Sequence, residues 1–268
     1  MDPRSPRHSP PGQHLRGPRI GRREAAPSRL ARAPQPVPPS AWMLPDPEHA
    51  DEDGVVGVGA DLDPSTLVDA YQRGIFPWPH PGVPLPWFSP DPRGVIDLEG
   101  VHVSRRLRSR LRTCGWTTTV DRGFDAVVAA CAERPGAEGT WITSELGRAY
   151  GRLHRLGWAH SVEVWSGGEL VGGLYGVQVG GVFTGESMFH RVNDASKVAL
   201  VDAVSRLTEA GGQLFDVQLV TPHLATMGAR ELPRARFLAI LHEARNLPVR
   251  LVVDERPVSR LAAAPGSH

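Results

Sequence analysis

Cysteine is scarce in this 268-residue chain: Cys114 and Cys131 are the only two, and they show no CxxC spacing. A disulfide framework and a cysteine-based zinc site are therefore not expected, and the composition suits the reducing cytoplasm. Long apolar runs are also missing. No stretch approaches the roughly 18 uninterrupted apolar residues of a membrane helix, and the N-terminus lacks the apolar core of a secretory signal. Neither a membrane partner nor export is predicted. Lysine is nearly absent, with Lys197 alone among 30 basic residues. Several standard motifs fail. Gly57 and Gly59 open a GxG, but Leu62 stands where the third glycine of a dinucleotide fingerprint belongs. There is no Walker A loop, HExxH or GxSxG, and the 11 histidines show no metal-ligand spacing. Metal and nucleotide chemistry are thus unsupported.

What is present is a globular composition, 40% hydrophobic, with an uneven charge. Eight of the 30 basic and two of the 29 acidic residues precede residue 41, which leaves 22 against 27, a net −5, in the remainder. A mildly acidic body binds nucleic acid only through a local basic patch. Residues 1–40 contain ten prolines and few large apolar side chains. Such a segment cannot offset its ordering entropy and reads as a disordered tail, or as sequence ahead of a start near Met43. Residues 41–92 read as a small N-terminal domain, 93–255 as the main domain and 256–268 as a flexible C-terminus. The boundary near Arg93 follows the proline-locked, aromatic-rich loops Phe76 to Pro81 and Pro84 to Arg93, which exclude regular helix and central strand.

The main domain alternates helix and strand patterns. Ser104 to Leu111 reads as a basic helix. Asp121, Ser144 and Asp194 are placed to cap further helices. Ala159 to Trp165 and Leu170 to Val179 form a hairpin around Ser166-Gly167-Gly168, Val182 to Thr184 a short strand, Leu214 to Val220 another, and Val249 to Val253 a last one. This predicts a mixed α/β fold with a largely antiparallel sheet.

Four stretches carry chemistry. In the strand at 214–219, period-two alternation puts Phe215, Val217 and Leu219 on one face and Asp216 and Gln218 on the other, an acid and an amide about 7 Å apart. A satisfied structural network is the competing reading, since buried carboxylates are costly unless paired or used. Gly185-Glu186-Ser187-Met188-Phe189 sets a carboxylate beside an apolar pair, in a segment that reads equally as a plain loop. Arg105, Arg106, Arg108, Arg110 and Arg112 crowd one helix with no acidic residue between them, while Leu107 and Leu111 pack inward. That pattern favours a polyanion-binding face over a solvated one. Trp78, Trp87 and Phe88 are placed either to stack on bases or to pin the two domains together.

Taken in order, Gly74-Ile75-Phe76-Pro77-Trp78, Trp87-Phe88-Ser89-Pro90-Asp91-Pro92-Arg93, Gly139-Thr140-Trp141-Ile142-Thr143, Ala159-His160-Ser161-Val162-Glu163-Val164-Trp165, Gly185-Glu186-Ser187-Met188-Phe189, Ala195-Ser196-Lys197 and Asp216-Val217-Gln218 resemble the leucyl/phenylalanyl-tRNA–protein transferases. The resemblance runs from about Gly54 to Phe237. It implies a GNAT-like main domain and no cofactor. It also implies a monomer that moves Leu, Phe or, less well, Met from aminoacyl-tRNA onto the N-terminal Arg or Lys of acceptor proteins, feeding N-end-rule degradation. Under that resemblance Trp78 stacks on the terminal adenosine, and Trp141, Leu174, Met188 and Leu200 surround the donated side chain. The arginine helix holds tRNA phosphates, and Asp216, Gln218 and Glu186 form the reaction centre. Ala203 stands where the family carries a larger apolar residue, which leaves the choice between Phe and Leu open. The alternatives are a non-catalytic tRNA-binding protein and an acyl-CoA N-acetyltransferase. The second lacks its usual R/Q-x-x-G-x-G/A loop here.

Overall fold

The computed structural model describes residues 29–133 and 141–263. In the N-terminal part, β1 (Val55–Val58), α1 (Pro64–Gln72), β2 (Phe76–Pro77) and β3 (Pro86–Phe88) form a three-stranded sheet, order β1-β3-β2, backed by one helix. Pro64 starts α1 at a position where the missing N–H costs nothing, and Gly74, at φ +74°, turns the chain out of it.

The main domain follows with β4 (Arg93–Asp97), α2 (Arg105–Thr113), β5 (Thr117–Val120), α3 (Phe124–Ala132), α4 (Ser144–Arg155), β6 (Ala159–Ser166), β7 (Glu169–Val179) and β8 (Val182–His190). It closes with α5 (Ala195–Glu209), β9 (Leu214–Gln218), α6 (Pro222–Ala225), β10 (Arg230–Leu232), α7 (Arg234–Ala244) and β11 (Arg256–Pro257). One eight-stranded sheet runs β10-β4-β9-β8-β7-β6-β5-β11, and every pairing is antiparallel except β8–β9. The expected mixed α/β architecture with a largely antiparallel sheet is thus present.

Strand alternation divides the core in two. Leu214 and Val95 join one apolar cluster with residues of α1, α3, α4 and α7. Their neighbours Phe215 and Ile96 join the other, with α2 and α5. Helices therefore cover both faces of the sheet. The first cluster also holds Leu67, Tyr71, Phe76 and Trp87 of the N-terminal part, so apolar packing runs unbroken across the boundary expected near Arg93.

Several expectations are corrected here. Residues 29–40 are not a free tail. Ala31 is buried and donates its N–H to Leu251 (2.8 Å), Gln35 donates to Leu156 (2.8 Å), and the Trp158 indole donates to the Gln35 carbonyl (2.8 Å). Residues 1–28 lie outside the described residues. At the other end, residues 256–263 belong to the fold. Arg256 and Pro257 pair with β5, Val258 and Leu261 are buried, and Arg260 pairs with the fully buried Asp202, which Arg206 also binds at 2.6 Å. Residues 264–268 lie outside the described range. Val249 to Val253 forms no strand beyond a single bridge from Val252 to Leu30. Asp121 and Ser144 do not cap: Gly123 starts α3, and Thr143 caps α4 by accepting from the Leu146 N–H. Asp194 stands at the N-cap position of α5 but makes no capping hydrogen bond.

Candidate functional site

The site follows from how β8 and β9 part. Parallel pairing joins them only at Val182↔Leu214, Phe183↔Phe215 and Thr184↔Asp216. Beyond Thr184, β8 continues to His190 paired with β7 alone. The segment Gly185 to Phe189 is therefore strand, not loop, and its peptide groups on the β9 side pair with no described strand. A cleft opens at the carboxyl ends of the parallel pair, which is where open α/β sheets bind ligands. Gly185 suits the close packing there, because an added Cβ would meet the Phe215 ring at 3.1 Å.

The cleft is a cavity of about 260 Å³, just below the roughly 300 Å³ at which drug-sized pockets begin. One amino-acid side chain suits it better than a large cofactor. All five residues expected around the donor group line it: Trp78, Trp141, Leu174, Met188 and Leu200. Leu174, Met188 and Leu200 arrive on β7, β8 and α5, Trp78 on the loop after β2 and Trp141 on the segment before α4, and Phe76, Phe215 and Val217 add to the apolar wall. Trp78 is half-buried, with its ring 5.6 Å from that of Phe88. Ala203, on α5, is buried in the core and does not reach the cavity wall. Gly139 and Thr140 fall outside the described residues.

The expected trio separates into two groups. Glu186 and Gln218 line the cavity, and Glu186 is the only carboxylate among the described residues on its wall. The Gln218 amide donates to Glu186 Oε1 at 2.9 Å, Tyr71 donates to the same oxygen at 2.8 Å, and Tyr150 donates to Oε2 at 2.7 Å. The two tyrosine hydroxyls also touch at 2.8 Å. Burial pushes the Glu186 carboxyl up to about 7, against the lowering effect of hydrogen bonds from Tyr150 and Tyr71. Burial also drives both tyrosine hydroxyls well above their ordinary range, so they stay protonated as donors. A carboxyl that titrates near neutral pH inside an apolar cleft is suited to proton transfer.

Asp216 is elsewhere. It is fully buried, forks with the 1% exposed Arg93 at 2.8 and 2.7 Å, and accepts from Thr184 Oγ1 and from the Gln218 N–H, both at 2.9 Å. Arg93 also donates to the Gly74 carbonyl and lies between the rings of Phe76 (4.8 Å) and Phe237 (4.4 Å). With four donors upon it, Asp216 has no lone pair left for a substrate. The side-by-side reading fails because β9 bulges. Gly94 pairs with Gln218 and Val95 with Asp216, so Val217 is an extra residue, and Gln218 sits at φ +65°. The bulge turns Gln218 to the cavity while Asp216 anchors the backbone beneath it. Arg93, Tyr71, Tyr150 and Thr184 were not singled out from sequence as site residues. Tyr71 and Tyr150 stand at buried positions of α1 and α4, and only their meeting across the fold reveals them.

The arginines of α2 lie as the periodicity predicts, with Leu107 and Leu111 buried. Ser104 caps the helix, accepting from the Leu107 N–H at 3.2 Å. Arg105, Arg106 and Arg112 are exposed, Arg108 and Arg110 half-buried, and Arg110 lies 5.0 Å over the Trp116 ring. Arg105, Arg106, Arg110 and Arg112 form no ion pair with a described residue. Their charge is thus not cancelled locally.

Among the described residues one group of metal-ligating types is present, Asp121 with His154 and His160. The His154 Nδ1 faces the Ala159 carbonyl at 2.9 Å, which accepts only a proton-bearing nitrogen. The His160 Nδ1 is 2.7 Å from Asp121. These atoms are spent on hydrogen bonds, so the group fits a structural network better than a metal site.

Known proteins resemble this chain over most of its length. A family model described as leucyl/phenylalanyl-tRNA protein transferase matches residues 95–242, and one for that family's N-terminal domain matches residues 60–91. The leucyl/phenylalanyl-tRNA–protein transferase of Chromohalobacter salexigens is 53% identical over 216 residues, covering 80% of this chain and 84% of that protein. Its counterpart in an Anaeromyxobacter species is 52% identical over 212 residues, covering 78% and 91%. That of Nitratidesulfovibrio vulgaris is 49% identical over 217 residues, covering 80% and 93%. A solved structure titled as L-PGS from Bacillus licheniformis is 14% identical, with a TM-score of 0.36 over 60% of this chain and 52% of that one, too distant to add to the assignment.

Proposed function

Because the chain belongs to the leucyl/phenylalanyl-tRNA–protein transferase family, and so transfers an aminoacyl group from tRNA to protein, we propose that the cavity between β8 and β9 is where this transfer occurs. The donors are Leu, Phe and, less well, Met, and the acceptor is an N-terminal Arg or Lys. The reading is supported by one observation: Trp141, Leu174, Met188 and Leu200, expected around the donor side chain, meet Trp78, expected on the adenosine, and the only carboxylate among the described wall residues in a single cavity. An apolar wall admits Leu, Phe and Met together, since each methylene is worth only about 1–3 kcal/mol of discrimination. Trp78 at the rim stacks on the terminal adenosine, and the arginines of α2 hold phosphates. The product is a substrate for N-end-rule degradation.

The reaction is aminolysis of an activated ester. The neutral acceptor amine bonds to the aminoacyl carbon, the carbon–oxygen bond to the ribose breaks, and the amine proton finally goes to the ribose oxygen. Glu186 takes that proton and passes it on. Gln218 gives its N–H to Glu186 and keeps its carbonyl oxygen to orient the amine. Asp216 is a positioning residue: it fixes the bulge that aims Gln218. The carboxylate form of Glu186 also favours the cationic side chain of an N-terminal Arg or Lys. The test is incubation with labelled Phe-tRNA and peptides that differ only in their first residue. Transfer to Arg- and Lys-starting peptides, and not to Ala-starting ones, is expected. Equal transfer to all three overturns the acceptor assignment.

A further inference from the structure

The stretch from Ala159 to Trp165 is one of those that carry the family resemblance, yet none of its residues lines the cavity. Its acid, Glu163 on β6, is fully buried. Glu163 Oε1 accepts from Ser161 Oγ at 2.5 Å and from the Gly123 N–H at 3.3 Å. Oε2 accepts from Thr119 Oγ1 at 2.5 Å and from the Arg122 N–H at 3.4 Å. The four donors come from β5, β6 and the turn that leads into α3. That turn has an unusual shape, with Asp121 at φ +62°, a conformation that a non-glycine residue keeps where its surroundings impose it. Asp121 is the charge that acts on Glu163; it lies 2.7 Å from the His160 Nδ1 and 3.6 Å from that of His154. Arg122 turns away, over the Trp165 ring at 4.7 Å and onto Glu255 at 3.2 Å. Burial pushes the Glu163 carboxyl up to about 7, against the lowering effect of hydrogen bonds from Ser161 and Thr119. Burying an acid costs free energy that an apolar residue would not.

The turn sets the start of α3, and Phe124 is its first residue. The Phe124 ring stacks on His154 of α4 at 4.2 Å and meets Tyr175 of β7 edge-on at 6.0 Å. Tyr175 also pairs across the sheet with Ser161 on β6 and with Ser187 on β8. Its ring packs edge-on against Tyr150 at 5.3 Å, and Tyr150 donates to Glu186 Oε2 at 2.7 Å. Glu186 is itself the extra residue of a bulge, since Tyr175 pairs with Ser187 and Gly176 with Gly185. Phe124, Tyr150 and Tyr175 are all buried, and close packing passes a displacement on instead of absorbing it.

We propose that Glu163 is a positioning residue for the transfer. It fixes the turn before α3, the turn sets Phe124 and Tyr175, and these hold the Tyr150 hydroxyl on Glu186. The inference rests on the reading of Glu186 as the group that takes the amine proton.

Glu163→Gln tests it, with Phe-tRNA and an Arg-starting peptide as substrates. The amide keeps the shape, but its NH2 cannot accept, so one N–H of the turn loses its partner. Weakening one hydrogen bond at Glu186 should lower kcat by roughly fivefold to tenfold. The KM for Phe-tRNA should stay as it is. The Tyr150 hydrogen bond is among the effects that lower the Glu186 carboxyl, so the ascending pH limb should move up, toward that of the acceptor amine. Tyr150→Phe should move the limb in the same direction, and adding Glu163→Gln to it should cost nothing further. Ser161→Ala removes a single donor to Glu163 and should act likewise but more weakly, which keeps the test open if Glu163→Gln does not fold. Circular dichroism confirms the fold of each variant. A lower melting temperature with kcat and the pH limb unchanged would make Glu163 scaffold alone and overturn the proposal. Losses that multiply in the double variant would overturn it too, because Glu163 would then act by a route other than Tyr150. If Tyr150→Phe itself left both rate and limb unchanged, the reading of Glu186 would fail, and the proposal with it.

Discussion

Asp216→Asn keeps the side chain's shape and removes the charge that Arg93 faces. Both residues are essentially inaccessible to solvent, and their two hydrogen bonds measure 2.8 and 2.7 Å. Removing one partner of such a buried pair costs about 3–5 kcal/mol, because the other charge stays buried and uncompensated. At about 2–4 °C per kcal/mol for a chain of this size, the melting temperature should fall by roughly 6–20 °C. Replacing both partners, as Arg93→Met with Asp216→Leu, should recover most of that loss. The recovery will be incomplete, since the Gly74 carbonyl loses its donor, a loss of about 1–3 kcal/mol. Calorimetry measures the unfolding, and single-turnover transfer well below each melting point measures the chemistry. The asparagine variant should lose activity along with the placement of Gln218. An unchanged melting temperature together with a hundredfold loss of rate would show that Asp216 acts on the substrate, and the anchoring argument would be wrong.

Glu186, with its carboxyl raised to about 7, should give kcat/KM an ascending limb near pH 7, below the one from the acceptor amine at about 7.7–8.0. Glu186→Gln should lose the first limb and at least a hundredfold of rate. The same shift has a sign in stability. The native state holds the proton more tightly than the unfolded chain does, so the contribution is complete below pH 4.5 and lost as pH rises through about 7. The wild-type melting temperature should therefore decline over that window relative to Glu186→Gln. Met188→Asp sets an unpaired charge in the donor wall and should abolish transfer of Phe while tRNA binding persists, as filter binding would show. Deleting residues 1–40 should lower the melting temperature by several degrees, because Ala31 and Gln35 leave their partners on the main domain.

The apolar wall of the cavity was legible in the sequence. It was legible through the family resemblance alone, which implied Trp141, Leu174, Met188 and Leu200 around the donated side chain; no local pattern joins these distant positions. The chemistry beneath was only half legible. Asp216 and Gln218 are two apart in a strand, and period two joins them; the bulge at Val217 depends on pairing with β4, distant in sequence. Tyr71 and Tyr150 meet at Glu186 only when α1 packs beside α4. Gly185 to Phe189 reads as loop because its polar residues hide a strand that uses only one neighbour. Residues 29–40 read as disordered because composition counts apolar side chains and does not see backbone hydrogen bonds to distant carbonyls.

The central claim, that the donor's side chain occupies the cavity between β8 and β9 with its carbonyl beside Glu186 and Gln218, is tested most directly by a crystal structure. The ligand is adenosine carrying phenylalanine through a 3′-amide that the enzyme cannot cleave. The account predicts the phenyl ring among Leu174, Met188 and Leu200, the adenine against Trp78, and the amide carbonyl within hydrogen-bonding reach of the Gln218–Glu186 pair. A ligand bound elsewhere, or with its amino acid directed out of the cavity, would contradict it.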